Sequence, residues 1–583
     1  MAGLAIAAPA YAAEPKAAVE GVDDETLRAA IQRAVGESSR PAETRFEARR
    51  RARDAAQSAI AVLRSEGYYG YEIEPDVAEA DPPRAVVRAT PGPRFEIRAA
   101  DIDWVDDPPV TEVAQAAEEA AGLPDGAPGR SADILAAEGR IVALVQNRGY
   151  ADVVAAPREV VVDHADRSVR PTFRIAAGEL VRLDGIDLTT EGRTNPAWVR
   201  ALAPWRPGEV YDPKDVAELE RRLLDTGVYD SVTVALAPKE QRTAEGQRPV
   251  VVSLADRAKR TLELGAGYST SEGLGIDGRW TRYNVLGRAD TLALRGRLAE
   301  LEQRLDLELA LPHWRRPQQT LKLGVGAFQM NTDAYDELGA GVRADVTRRY
   351  GKTSYVTVGG SVDYSKLEEV DEDAFGLVDR QRDLVLLTGL GALSLDRSND
   401  PLDPRRGWRV EARAEPTLVV GDTNVPYLKG QAQGSYYLPF GEEARTVLAS
   451  RLRLGAIVGG TLADVPTSRR FFAGGGGSVR GYSYQGVGPR FPDNTPSGGR
   501  SLIEGSVEVR HDLTQRWGVV AFVDAGAVGE DQFPKGEDLS IGAGIGVRYN
   551  LGFGPIRADI AIPLDKREGD PSFQIYLSIG QSF

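Results

Sequence analysis

Cysteine is absent from the 583 residues, and methionine and histidine occur only two and three times. Without thiols there is no disulfide scaffold, no thiolate zinc site and no cysteine nucleophile. His164, His313 and His511 fall in separate segments without ligand spacing, so no metal centre is expected. No stretch offers the roughly 20 consecutive apolar residues of a membrane-crossing helix, so any membrane passage must be made by strands. Positive charge is short as well: a formal net charge of −15 argues against a nucleic-acid binder, which needs a basic face. The run Gly474 to Gly477 lacks the Lys-Ser/Thr of a phosphate loop, and Gly542-Ala543-Gly544-Ile545-Gly546 sits in an alternating pattern rather than before a helix. No nucleotide site, no cofactor and no enzyme activity are expected.

Glycine, in contrast, is plentiful at 63 residues, as suits a chain of strands and turns. The opening residues end a small apolar run in Ala10-Tyr11-Ala12, an A-x-A cleavage pattern, although the first basic side chain is Lys16. Residues 1–12 are therefore expected to be a truncated signal peptide. A chain this long exceeds one compact core, so several domains are expected.

From about residue 19 to 256, helical and strand patterns alternate. A helix ending in Gly then Tyr (or Gly-Val-Tyr) recurs at Gly67-Tyr68, Gly149-Tyr150 and Gly227-Val228-Tyr229, roughly 80 residues apart. Each ending follows an amphipathic helix: Ala52, Ala55, Ala59 and Leu63; Ile134, Ile141 and Val145; Val216, Leu219 and Leu223. Glycine supplies the left-handed stop, and Asp212-Pro213 supplies a cap and a first-turn proline for the third helix. Two strand-like phrases follow each glycine, so each unit reads β-α-α-β-β. Three α+β modules are expected at 17–92, 93–177 and 178–257.

After Thr261 the period changes from helical to two. Leu305, Leu307, Leu309 and Leu311 alternate with Arg304, Asp306, Glu308 and Ala310, and Leu321, Leu323, Val325 and Ala327 behave alike. Residues 260–583, at about 20 residues per strand and turn, give about 16 antiparallel strands, an even number suited to an outer-membrane β-barrel. Such a barrel places leucines against lipid and charges such as Arg295, Arg297, Asp306 and Glu308 in a wet lumen. The last run puts Phe573, Ile575, Leu577 and Ile579 on one parity and closes on Phe583, a C-terminal strand signal.

Within this region Val479-Arg480-Gly481-Tyr482 follows the glycine run. Alone, a loop arginine would most simply face water. Parity offers it partners: Glu508 lies opposite Val507 and Val509, and Asp524 lies opposite Val519, Ala521, Val523 and Ala525, so both acids face the lumen. An inward-folded loop would set the guanidinium between two carboxylates in charge-assisted hydrogen bonds. The same acids could be imagined as a catalytic pair, but the arginine favours a structural role.

These residues resemble the BamA/TamA superfamily of outer-membrane insertases and translocators. Val479 to Tyr482 is similar to its VRG(F/Y) loop motif, and Phe522-Val523-Asp524-Ala525-Gly526 to its F-x-D-x-G strand motif. Gly505 to Glu508 resembles its strand with a lumen glutamate. Asp396, Arg397, Asp400, Pro401, Pro404 and Gly407 resemble its D-R-x-x-D-P-x-x-P-x-x-G turn, which the residues themselves describe as a tight turn. The modules resemble POTRA domains, and three of them point to the TamA branch; the opening strand of the first is short. The resemblance implies insertion of outer-membrane proteins, autotransporters among them, without nucleotide hydrolysis. It also implies a periplasmic position for the modules, and as partners a TamB-like envelope-spanning protein, unfolded clients and outer-membrane lipid. The alternatives are a BamA-like insertase, a TamB-linked lipid-transport component, and a passive porin-type channel with interaction domains.

Overall fold

Capping explains where the helices of the first module begin and end. Asp24 accepts hydrogen bonds from the amides of Thr26 (2.8 Å) and Leu27 (3.1 Å) at the head of α1 (Glu25–Val35). Thr44 caps α2 (Arg45–Ser65) through the Glu47 amide, and Gly67, at φ 89°, turns the chain after it. The described residues of this computed structural model are 14–583, without 271, 352, 374–375, 422–423, 442–443, 536–537, 552–554 and 580–583. The expected signal peptide lies outside them, as does Phe583.

The first module pairs β1 (Glu14–Pro15) with β3 (Glu37–Ser38), and orders β2 (Ala18–Glu20), β5 (Arg84–Thr90) and β4 (Glu72–Ala78) in a sheet with β5 central. Leu27 and Ile31 of α1, Ala52, Ala55, Ala59 and Leu63 of α2, and Val87 of β5 close its core. The second module has β6 (Glu96–Ile97), β7 (Asp101–Trp104), α3 (Thr111–Ala121), α4 (Ser131–Asn147), β8 (Val154–Ala155), β9 (Glu159–Asp163) and β10 (Ser168–Ala176). Here β10 is the spine, parallel to β6 and β7 and antiparallel to β8 and β9. Ile134, Ile141 and Val145 pack on Val169 and Phe173. The third has β11 (Leu183–Leu188), α5 (Pro196–Arg200), α6 (Pro213–Leu224), β12 (Tyr229–Leu236) and β13 (Arg248–Asp256), with β13 central. The third reads β-α-α-β-β; the first departs from that order by the short strands β1 and β3, and the second by β6 and β8.

Two compact units emerge. One comprises the chain up to Asp187 with Ala203–Leu219 and Val234–Val252; the other comprises Leu188–Leu202, Glu220–Thr233 and Ser253–Phe583. The second unit holds a closed barrel of sixteen strands in sequence order. Its first eight are β14 (Arg260–Ser269), β15 (Gly273–Tyr283), β16 (Thr291–Ala299), β17 (Glu302–Leu311), β18 (Gln319–Asn331), β19 (Tyr335–Tyr350), β20 (Ser354–Asp373) and β21 (Gly376–Asp396). The other eight are β22 (Gly407–Val420), β23 (Val425–Phe440), β24 (Thr446–Val458), β25 (Ser501–Asp512), β26 (Trp517–Gly529), β27 (Ser540–Asn550), β28 (Pro555–Pro563) and β29 (Gln574–Ile579). Period-two alternation puts Leu305, Leu323, Val325, Val507 and Val523 on the exposed outer face, as expected for lipid contact. Inside, Glu308 pairs with Arg295 (3.1 Å) and Arg343 (2.9 Å), and Arg297 with Asp277 (3.3 Å).

Closure is uneven. β14 pairs with β15 from Arg260 to Ser269, but among the described residues it pairs with β29 only at Tyr268–Leu577 and Ser269–Tyr576. Two bonds extend that seam: the Thr270 amide donates to the Ile575 carbonyl (3.1 Å), and the Ile575 amide to Thr270 Oγ1 (3.0 Å). At the end where the chain enters, the turn between β15 and β16 is buttressed within the same unit. Asn284 donates to Thr194 Oγ1 (2.8 Å), which bonds the Tyr229 hydroxyl (2.8 Å).

Candidate functional site

The connection between β24 and β25, residues 459–500, opens at the end of the barrel opposite the chain's entry. Instead of projecting outward it fills the lumen. Val465, Phe471, Ala473, Val479, Tyr482 and Val487 of this loop are buried together with wall residues Leu367, Leu384, Leu386, Val419, Ile457, Leu502 and Val528. The lumen is therefore not uniformly wet: the wall behind the loop is apolar, and the loop supplies its other half.

Arg480 lies at the inner end of the loop. Its Nε donates to Asp524 Oδ2 (2.7 Å) and its Nη2 to Asp524 Oδ1 (2.9 Å), a bidentate pair, while the Arg480 amide also reaches Oδ2 (3.1 Å). Nη1 meets Glu508 Oε1 at 2.7 Å and Asp559 Oδ2 at 3.4 Å. All four side chains are buried, and the guanidinium carbon stands 3.4 Å above the centre of the Phe522 ring. Around them, Arg510 pairs with Glu508 (2.8 Å), Arg557 (3.3 Å) and Arg548 with Asp559, and Ser506 donates to Asp524 (2.6 Å). Four arginines thus compensate three buried carboxylates. Asp559 of β28 escaped the sequence reading. Its parity was visible, since Arg557 and Asp559 interrupt the apolar series Ile556, Ile560, Ile562.

The neighbours of Arg480 are held as closely. Gly481, at φ 103°, donates its amide to the Tyr576 hydroxyl (3.1 Å) of the seam strand β29. A Cβ there would stand 2.7 Å from the Ile562 carbonyl carbon, so only glycine fits both the space and the left-handed backbone. Tyr482 donates toward the carbonyls of Ile541 (3.1 Å) and Asp565 (3.2 Å), and Val479 packs where Gly526 leaves room, a Cβ at 526 coming within 2.6 Å of it. Gly542 serves the loop in the same way: its Cβ would lie 1.9 Å from the Arg480 carbonyl oxygen. The glycines of β26 and β27 are thus a recess for the loop backbone. Gly542→Ala, which alters no charge, should displace the loop and lower barrel stability by about 1–3 kcal/mol, measured by urea unfolding.

A second anchorage holds the other limb. Arg469 pairs with Glu337 of β19 (3.1 Å), the Thr467 amide donates to Glu369 of β20 (2.8 Å), and Lys429 of β23 donates to the Arg469 carbonyl (2.8 Å). Glu369 is itself paired with buried Arg382 (3.2 Å). The two limbs are pinned to different arcs of the wall, so the loop bridges the lumen.

The turn motif lies at the other end of the barrel, between β21 and β22, and takes no part in this cluster. Asp396 accepts from the Ser398 amide (2.8 Å) and pairs with Arg409 (3.1 Å). Asp400 accepts from the amides of Leu402 (2.7 Å) and Asp403 (3.1 Å). The Arg397 amide donates to the Trp408 carbonyl (2.9 Å), and Gly407, at φ 103°, would place a Cβ 2.1 Å from the Arg397 carbonyl oxygen. Arg405 reaches across to Asp512 at the end of β25. Pro401 and Pro404 lie within the turn. Phe573, just before β29, is exposed, and Ile575 and Leu577 within it face outward; the inward residues Gln574 and Tyr576 are the ones that touch the loop and the seam. The side chain of Ile579 lies outside the described residues.

Comparison with known proteins follows the same lines. Residues 284–583, just over half of the chain, match the Omp85 superfamily domain. The outer membrane protein assembly factor BamA of Neorickettsia risticii is 24% identical over 453 residues, covering 74% of this chain and 58% of that protein. BamA of Nitratidesulfovibrio vulgaris is 24% identical over 394 residues, covering 64% and 48%. The chain thus spans about half the length of these relatives. Among solved structures, BamA from Haemophilus ducreyi lacking POTRA domains 1–3 has a TM-score of 0.70 at 18% identity, covering 83% of this chain and 99% of that one, which identifies the same fold. The modules are accordingly POTRA domains of the periplasm, and the barrel is an outer-membrane barrel. The match takes in the strands and the loop that hold the Arg480 cluster and covers more than half of the sequence: this chain belongs to the Omp85 superfamily.

Proposed function

We propose that the chain assembles outer-membrane proteins, templating client strands at its own barrel seam without nucleotide hydrolysis or other catalysis. The observation that carries this reading is the shared use of β29. Its Tyr576 holds the loop through the Gly481 amide, while the strand itself meets β14 at only two ladder positions among the described residues. Among the described residues, β14 from Arg260 to Gly267 has no ladder partner on that side, an edge on which another strand can add by β-augmentation. Linking the loop to the strand that must part gives the loop a natural role as latch. The apolar loop core argues against the passive-channel reading, because a pore sealed by Phe471, Val487 and Tyr482 cannot carry a large steady current. A narrower reading within the same proposal is TamA-like assembly of autotransporters with a TamB-like partner.

Depletion followed by quantitative proteomics of outer-membrane fractions tests the proposal. Barrel proteins should fall severalfold while inner-membrane proteins hold steady. An unchanged complement of barrel proteins would reject it, and lipid imbalance in that setting would favour lipid transport.

A further inference from the structure

The outer face of α2 in the first module carries a feature unlike the rest of this acidic chain. The inner face is alanine-rich and spent on the core: Ala48, Ala52, Ala55, Ala59 and Leu63 are buried. On the opposite face, Phe46, Arg49, Arg50 and Arg53 follow the i, i+3, i+4, i+7 spacing and form one continuous stripe. Phe46 is 80% exposed, and the three arginines are exposed and make no salt bridge among the described residues. Other arginines of the helix are engaged: Arg45 with Glu79 (2.8 Å) and Arg51 with Glu47 (2.6 Å). The helix holds six arginines against two acids, in a protein of net charge −15. Its positive N-terminal dipole end adds to the local potential.

We propose that this stripe is a docking surface for an acidic segment of another envelope protein, one carrying an apolar side chain that covers Phe46. Three exposed guanidinium groups without a salt bridge among the described residues, beside an exposed aromatic, match the residue types that dominate interface hot spots, and arginine forks suit carboxylates in bidentate geometry. A bilayer surface fits less well. Interfacial binding scales with buried apolar area, and here the apolar face of the helix is already in the core, leaving Phe46 alone. The stripe is also narrow, with Glu47 and exposed Asp54 along one flank, which would repel a broad anionic plane but spare a slim chain.

The test uses the full chain in nanodiscs of zwitterionic lipid. Two fluorescein-labelled probes are compared by anisotropy: a glutamate-rich peptide with a central leucine pair, and the same peptide with serines in place of the leucines. The leucine peptide should bind more tightly, by roughly fivefold, and Phe46→Ala should abolish that preference. The triple variant R49E/R50E/R53E should weaken binding at least about tenfold, with a salt dependence lost in parallel, whereas R33E on exposed Arg33 of α1 should change nothing. Unchanged thermal unfolding of the variants certifies the module's fold. Retained affinity in the triple reversal, no preference between the peptides, or capture of phosphatidylglycerol vesicles through the stripe in place of the leucine peptide overturns the proposal.

Discussion

Arg480→Ala should cost the barrel about 3–5 kcal/mol of stability and abolish client assembly, while the barrel itself still reaches the membrane and folds. The loss concentrates on one acid. Glu508 retains Arg510, and Asp559 retains Arg548 and Arg557, so both remain compensated without Arg480. Among the described residues Asp524 keeps only neutral donors, the Ser506 hydroxyl and the backbone amide of residue 480, and a buried carboxylate that has lost its bidentate cation is a strained species. It follows that removing the stranded charge should restore stability: Arg480→Ala/Asp524→Asn should be more stable than Arg480→Ala alone. Activity should not return in the double variant, because the loop's inner limb is still unpinned. Arg480→Lys should fall between, since an ammonium cannot fork onto Asp524 while reaching Glu508. Urea titration read by heat-modifiable electrophoretic mobility gives the stabilities, and outer-membrane proteomics gives the activity. Full client assembly in a folded Arg480→Ala barrel would refute the latch. The limb held at Glu337 and Glu369 should stay docked, so the lesion is a local release, not expulsion of the whole loop.

The legible and illegible parts of this protein divide by physical cause. Period-two alternation exposed the sixteen strands, and parity alone put Glu508 and Asp524 inside, because a strand has only two faces to choose between. The same rule would have found Asp559, had Arg557 and Asp559 been read against Ile556 and Ile560. Helix stops at Gly67, Gly149 and Gly227 were readable because each adopts a positive φ that few other residues tolerate. The loop's apolar half was not readable. Phe471 and Val487 belong to a segment without any period, and the wall positions Leu384 and Leu386 sit in a continuous apolar run whose inner and outer members look alike. Arg469 and Glu337 are 132 residues apart, so their pairing is a property of closure, not of any local pattern. The glycines of β27 looked like strand filler, and their use as a recess emerges only when the Arg480 carbonyl is found against Gly542.

Locking the seam should stop assembly altogether while leaving the barrel more stable. Tyr268 and Leu577 face each other across β14 and β29 with both side chains outward, so Tyr268→Cys/Leu577→Cys would join the strands without touching Tyr576 or the loop. The chain's lack of native cysteine makes this the sole disulfide, and reduction is a built-in reversal. A covalent bridge there closes a loop of about 300 residues and in chain-entropy terms stabilises by up to about 5 kcal/mol. If client strands add to β14 at the seam, the oxidised form should lose at least about tenfold in assembly rate on reconstituted clients and regain it on reduction, the edge being accessible only when the strands part. Each single-cysteine variant should retain activity, separating the crosslink from the substitutions. Equal rates for oxidised and reduced protein, with complete crosslinking verified, would place the client's path elsewhere. With the lumen filled by the loop core, the remaining path would be the outer wall, and Arg480→Ala should then leave assembly untouched. The two experiments therefore bear on one mechanism from independent sides: the latch variant frees a strand that should be held, and the disulfide holds a strand that should be free.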